Sequence, residues 1–138
     1  MNLPDDKPIR YLTASDIYNI NDTINDGHTF VRDVNMLNYA VRRPKLEMFG
    51  EVQFPTLVDK AAALLHSLAH HHLFADGNKR TAIRAVTLFL QVNGYRLTWD
   101  DATQQAFVLE IAQGKYDATQ VAERLKPFIS PDHAQETN

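Results

Sequence analysis

Ten consecutive residues, His72-Leu73-Phe74-Ala75-Asp76-Gly77-Asn78-Lys79-Arg80-Thr81, constrain this chain more than any other stretch. They place a histidine, an acid, a glycine turn and two cations directly before apolar residues at helical spacing, Ala82, Ala85, Val86, Phe89 and Leu90. That order predicts a loop running into a helix N-terminus. The first N–H groups of a helix have no internal partners, and the macrodipole makes that end electropositive, so it suits phosphate. Lys79 and Arg80 stand where the dipole repels cations, a local cost that makes sense when an anion arrives. His72 supplies an imidazole, the side chain most often used as a general base, and Asp76 a hard oxygen ligand suited to Mg²⁺. The run reads as a phosphate-handling catalytic loop.

Plainer roles compete for the same residues. His72 also fits a helix-end histidine packed against Phe74, a core aromatic. Asp76 also fits an acidic N-cap, worth about 1 kcal/mol. Gly77 fits an ordinary loop glycine and Asn78 an ordinary first helical residue. The run His70-His71-His72 suggests a metal, but neighbours in sequence point in different directions, and no second pair at H-E-x-x-H spacing exists. His66 lies beside an apolar stripe and is expected to pack.

Around the loop the pattern is helical throughout. Thr13 and Asp16 form a capping-box pattern opening a helix to about Asn25, with Ile17, Ile20 and Ile24 on one face. Asp33 caps a second helix that Pro44 stops. Leu57, Ala61, Leu64, Leu65 and Leu68 mark a third, and the fourth begins near Asn78 and ends at Gly94. A fifth spans about Asp101–Gln113 before Gly114, and Asp117 with Gln120 opens a sixth carrying Val121 and Leu125. Lys45–Gln53 interrupts this text as a short hairpin or irregular flap. The expected architecture is all-α: one domain over residues 11–129, about six helices and a non-helical flap, between a loose N-terminus (1–10) and a loose polar tail (130–138).

Composition narrows the setting. With 138 residues the chain has room for one core. Its formal charge of −3 gives little support to non-specific binding of nucleic acid or membrane. No cysteine is present, which fits the cytoplasm. Residues 1–7 lack the apolar core of a signal peptide, and the apolar runs near 61–65 and 85–90 are too short to span a bilayer.

The commoner phosphate motifs are missing: there is no G-x-x-x-x-G-K-[ST], no G-x-G-x-x-G and no protein-kinase signature set. The run instead resembles the Fic/Doc signature H-x-F-x-[DE]-[AG]-N-[GK]-R, met by His72, Phe74, Asp76, Gly77, Asn78, Lys79 and Arg80. Further stretches are similar to the Doc ("death on curing") branch: Val31-Arg32-Asp33, Arg43-Pro44, Phe54-Pro55-Thr56, residues 60–69 and Phe89-Leu90-Gln91-Val92-Asn93-Gly94. Together they span roughly residues 11 to 126. The branch contains toxins of bacterial and phage toxin–antitoxin pairs.

The resemblance implies a Fic-like helical bundle in which His72 is the general base and Asp76 holds Mg²⁺. It implies that Gly77, Asn78, Lys79 and Arg80 bind phosphate. Family members that transfer AMP usually keep glycine after the Asn and a second arginine three residues after the first. Here Lys79 and Ile83 occupy those positions, and Arg84, roughly 100° further round the helix, does not simply replace the missing arginine. Both departures match the Doc branch, which implies transfer of the γ-phosphoryl group of ATP to a Thr or Ser hydroxyl, by resemblance on elongation factor Tu, with arrest of translation. The family's autoinhibitory [ST]-x-x-x-E-[GN] pattern is not met by Thr119–Arg124, so inhibition is expected from a separate antitoxin chain. AMP transfer by the same loop and a non-catalytic anion-binding module are the alternatives. A nucleic-acid binder is disfavoured by the acidic balance and the lack of a basic–aromatic stripe.

Overall fold

The computed structural model describes residues 7–132. Six helices follow in order: α1 (Ala14–Ile24), α2 (Val34–Arg42), α3 (Leu57–His70), α4 (Asn78–Val92), α5 (Asp101–Ala112) and α6 (Ala118–Leu125). The all-α expectation holds, and each expected helix is present within a residue or two of its expected ends. Local chemistry explains most of the starts. Thr13, Asp33, Thr56, Asp100 and Asp117 each accept a backbone N–H from three residues ahead, capping α1, α2, α3, α5 and α6.

Helix α3 is the centre of the bundle. Leu57, Val58, Ala61, Ala62, Ala63, Leu64, Leu65, Leu68 and Ala69 are all buried, so it is apolar on nearly every side. It packs against α2, α4, α5 and α6, and α1 closes over α4. The alanines let neighbouring backbones approach, while Leu64, Leu65, Phe89 and Ile111 fill the volume between them. Truncating a leucine as buried as Leu64 costs about 2–5 kcal/mol. Lys60 is the one charged side chain in this interior among the described residues; its Nζ donates to the Pro44 carbonyl at 3.1 Å.

The flap is a hairpin, β1 (Glu47–Met48) with β2 (Glu51–Val52), paired antiparallel with Glu47 opposite Val52. Phe49 and Gly50 turn it with positive φ at both central residues (54° and 77°), the type I′ arrangement that matches strand twist. The Phe49 side chain is 99% exposed at the tip.

A second ribbon was not anticipated from the pattern. Strand β3 (Tyr95–Leu97) pairs antiparallel with β4 (Ile129–Pro131), with Arg96 opposite Ser130. Three-residue strands are too short for alternation to register, and pairing between positions so far apart leaves no local trace. The polar tail expected from Ser130 onward therefore starts inside a sheet, and Asp132 N–H continues the tie to the Gly94 carbonyl at 2.9 Å. At the other terminus, Ile9 packs on the core and Arg10 exchanges two hydrogen bonds with Asn93 (2.9 and 3.0 Å). The remainder of the two expected loose ends, 1–6 and 133–138, lies outside the described residues. No helix among the described residues is long and apolar enough to cross a membrane.

Candidate active site

The segment joining α3 to α4 is fastened from four directions. Leu73 and Phe74 are each 1% exposed and plug it into the core. Its backbone runs strand-like beside residues 30–33: Val31 bridges Phe74, the Leu73 carbonyl accepts from Arg32 and Asp33 N–H (2.7 and 3.3 Å), and Ala75 N–H donates to the Phe30 carbonyl (3.0 Å). From α1, the Asn21 and Asn25 side chains donate to the Asp76 carbonyl at 2.8 and 3.2 Å. From within, Asn78 folds back on Phe74: its Oδ1 accepts from Phe74 N–H (3.0 Å) and its Nδ2 donates to the Phe74 carbonyl (2.8 Å).

Gly77 closes the loop and must be glycine on two counts. Its φ of 75° lies in the left-handed region, and a Cβ there would stand 3.1 Å from Ile24 Cγ2. Gly77 is also the N-cap of α4, and it brings no capping side chain. The first α-helical bond of α4 runs from Thr81 N–H to the Gly77 carbonyl. The N–H groups of Asn78, Lys79 and Arg80 have no acceptor among the described residues, as expected at a helix start without a cap.

His72, Asp76, Lys79 and Arg80 are all exposed around this end. The Asp76 carboxylate makes no hydrogen bond or ion pair among the described residues; only its backbone carbonyl is engaged. The N-cap alternative for Asp76 therefore does not describe this structure. Asn78 is not an ordinary helix-start residue either, because both polar atoms of its side chain hold the loop. What Asn78 has left to offer an anion is its backbone N–H. The donor set also fits Mg²⁺ in its usual form: one carboxylate, with the remaining positions left to water and phosphate oxygens. Among the described residues no cluster of three or more His, Asp or Glu side chains could hold an ion by itself.

His66, His70 and His71 form a separate stack. His66 and His70 rings lie face to face at 5.4 Å, and His70 meets His71 edge-on at 5.1 Å. His66 Nδ1 accepts from Arg43 Nη1 at 2.8 Å, so the ring is neutral with its proton on Nε2. Burial, and next the Arg43 guanidinium, hold His66 down to about 4. His71 is also lowered, mainly by burial.

Two contributors were not visible in the pattern. Asn21 is fully buried, bonds Thr81 Oγ1 at 3.0 Å as well as Asp76, and so welds α1 to the loop and to α4. Its one signal is a polar residue four after Ile17 and three before Ile24, inside the apolar face of α1. The second is the α4–α5 groove, an open space of about 500 Å³ with Lys79, Arg80, Ile83 and Arg84 along one wall. Ile83 and Arg84 reach the same groove, although the angle between them on the helix suggests separation.

A buried aromatic thus pins the loop, the helix end beyond it is left without a cap, and a histidine and a carboxylate stand exposed around it. Residues 11–90 match the sequence model described as the Fic/DOC family. The chain belongs to that family. It is similar to a protein named toxin Doc from Mycolicibacterium smegmatis, 40% identical over 122 residues, or 87% of this chain and 94% of that one. It is also similar to a protein named protein kinase doc from Escherichia phage P1, 33% identical over 70 residues, covering 51% of this chain and 55% of the phage protein. The family match and the first likeness place it among Doc-type toxins.

Proposed function

We propose that this chain is a toxin that phosphorylates a hydroxyl of a protein target. The reading rests on one observation: the α4 N-terminus is left without a cap, carries Lys79 and Arg80, and stands beside an exposed His72 and Asp76. His72 takes the proton of the incoming Thr or Ser hydroxyl. The three free N–H groups, with Lys79 and Arg80, neutralise charge on the transferred phosphoryl group. Phosphoryl transfer depends mainly on positioning and electrostatics, so a small site suffices. Mg²⁺, held by Asp76 and the polyphosphate, would add further neutralisation of charge. The phage relative's name, protein kinase doc, supports phosphoryl over nucleotidyl transfer. So does Lys79, a long cation where AMP-transferring members of the family keep glycine.

By the same resemblance the acceptor is elongation factor Tu, the outcome is arrest of translation in the cytoplasm, and a separate antitoxin chain restrains the activity. The exposed hairpin edge at β1–β2 suits alignment of the acceptor segment by backbone pairing. The test is incubation with elongation factor Tu, Mg²⁺ and ATP labelled at the α or the γ position. Label arriving from the γ position supports the reading; label from the α position replaces it with AMP transfer. No transfer from either, by folded protein, leaves an anion-binding module. Growth arrest on expression, relieved by the neighbouring open reading frame, tests the antitoxin.

A further inference from the structure

Residues 47–53 of the β1–β2 hairpin are all exposed, so burial does not fix where it points. A two-stranded hairpin is at best marginally stable by itself. Its direction is therefore set at its two feet. The first is Arg43–Leu46, where Pro44 is buried and its carbonyl accepts from Lys60 Nζ at 3.1 Å. The second is Phe54, whose neighbour Gln53 donates its N–H to the Leu46 carbonyl at 3.0 Å. Arg43 joins both feet to α3. Its guanidinium lies over the Phe54 ring, 5.4 Å from the centroid, and its Nη1 donates to His66 Nδ1 at 2.8 Å and to the Oγ of the buried Ser67 at 3.0 Å.

Arg43 is in no ion pair among the described residues. A half-buried guanidinium with no carboxylate opposite it exchanges hydration for neutral partners, which is a cost. What it gains is direction, because a planar fork bonds along its edge and stacks on its face at the same time. The His66 ring is fixed in turn by a hydrogen bond to the Tyr116 backbone and by stacking on His70, which meets His71, the neighbour of His72. We propose that Arg43 is a positioning residue for the protein acceptor: it sets the angle of the hairpin against the C-terminal turns of α3, which lead into His72. The inference rests on the proposed function for what the hairpin carries. Without the contact to Phe54 the hairpin would still form but would sample a range of angles, and an acceptor would bind only the fraction that suits it. The cost falls on acceptor binding and not on the chemical step, because the catalytic loop has its own fastenings in Asn21, Asn25 and Asn78.

Two measurements on the full chain test this: steady-state transfer of γ-label to elongation factor Tu, the acceptor of the proposed reaction, and hydrogen exchange without any substrate. Arg43→Ala and Phe54→Ala should each raise KM for the acceptor by about tenfold, the worth of one partly desolvated cation–π contact. The kcat and the KM for ATP should be unchanged. The double variant should be no worse than either single one, since both remove the same contact. Phe54→Tyr, which keeps the ring face, should retain the wild-type KM. Phe54→Ala, which leaves His66 and Ser67 untouched, carries the same test where loss of Arg43 unfolds the chain. A lowered melting temperature with an unchanged acceptor KM overturns the proposal, as do additive effects or a loss confined to kcat. In the exchange experiment, amides of residues 46–53 should exchange faster in Arg43→Ala than in wild type, while those of residues 73–75 keep their rates. Equal exchange at the hairpin also overturns the proposal. Where the hairpin loosens as expected but wild type passes no γ-label, the proposed function has failed and the control of the hairpin by Arg43 stands.

Discussion

Helices α3 and α4 pack side by side, yet their N-termini are finished in opposite ways. At α3, Thr56 Oγ1 accepts from Asp59 N–H at 3.1 Å and Asp59 accepts from Thr56 N–H at 3.3 Å, so the end is closed on itself. At α4, Gly77 supplies no acceptor, the first turn has no acid, and two cations take the places an acid would favour. The sequence could have capped α4 as it capped its five neighbours. Leaving it open sacrifices about 1 kcal/mol of local stability. In return the N–H groups stay free for a ligand. The contrast separates a helix start that serves the fold from one that the proposed function gives to chemistry, within a single bundle.

The largest test of that division is His72→Ala. It should lower γ-phosphoryl transfer by about 10²–10⁴-fold and leave the melting temperature unchanged, because the side chain is exposed and makes no contact that holds the loop. A folded variant with near wild-type turnover would break the assignment of the α4 end to catalysis. Asn78→Ala comes next. Losing both bonds to Phe74 should loosen the loop, reduce transfer by about 10²-fold and destabilise the protein by about 1–3 kcal/mol, read by labelling and denaturation together.

Thr56→Ala probes the other side. It should cost about 1 kcal/mol in denaturant unfolding while transfer by the folded fraction stays at the wild-type rate. A loss of transfer comparable with that of His72→Ala would erase the distinction between the two ends. The smallest effect is expected at the C-terminal end of α3. His66 is held from 6.5 down to about 4 in the folded chain, chiefly by burial and then by Arg43. Between those values the unfolded chain binds the extra proton, so this contribution to stability is complete above about pH 6.5 and is lost as pH falls through about 4. Melting temperature against pH should fall less steeply over that window in His66→Gln.

The helices were legible in the sequence because each signal was local: Thr13 with Asp16, Asp33, Asp117 with Gln120, the glycines at 94 and 114, and the leucine spacing of α3. The loop residues were legible for the same reason, being contiguous. What stayed hidden depends on contacts between distant positions. Asn21 looks like a surface asparagine until α1 is laid against Asp76 and Thr81. Strand β4 has no meaning without β3. Arg84 required the position of α5 to show which space it enters. Asn78 was found by pattern, but its engagement with Phe74 is a matter of side-chain direction that spacing does not encode.

The clasp made by Asn21 also sets when the site comes into being. Its partners lie 55 and 60 residues further along the chain, so during synthesis α1 leaves the ribosome long before anything it must hold. The loop can form its turn locally, but it has no fixed place until Thr81 and the helix behind it have emerged and α1 has swung down upon them. Contacts of such separation form late, because the loop closure must be met before they reward it. The loop of a nascent chain therefore lacks this clasp until residues 76 and 81 have emerged. The loop takes its final place only after most of the polypeptide is already outside the machine that makes it.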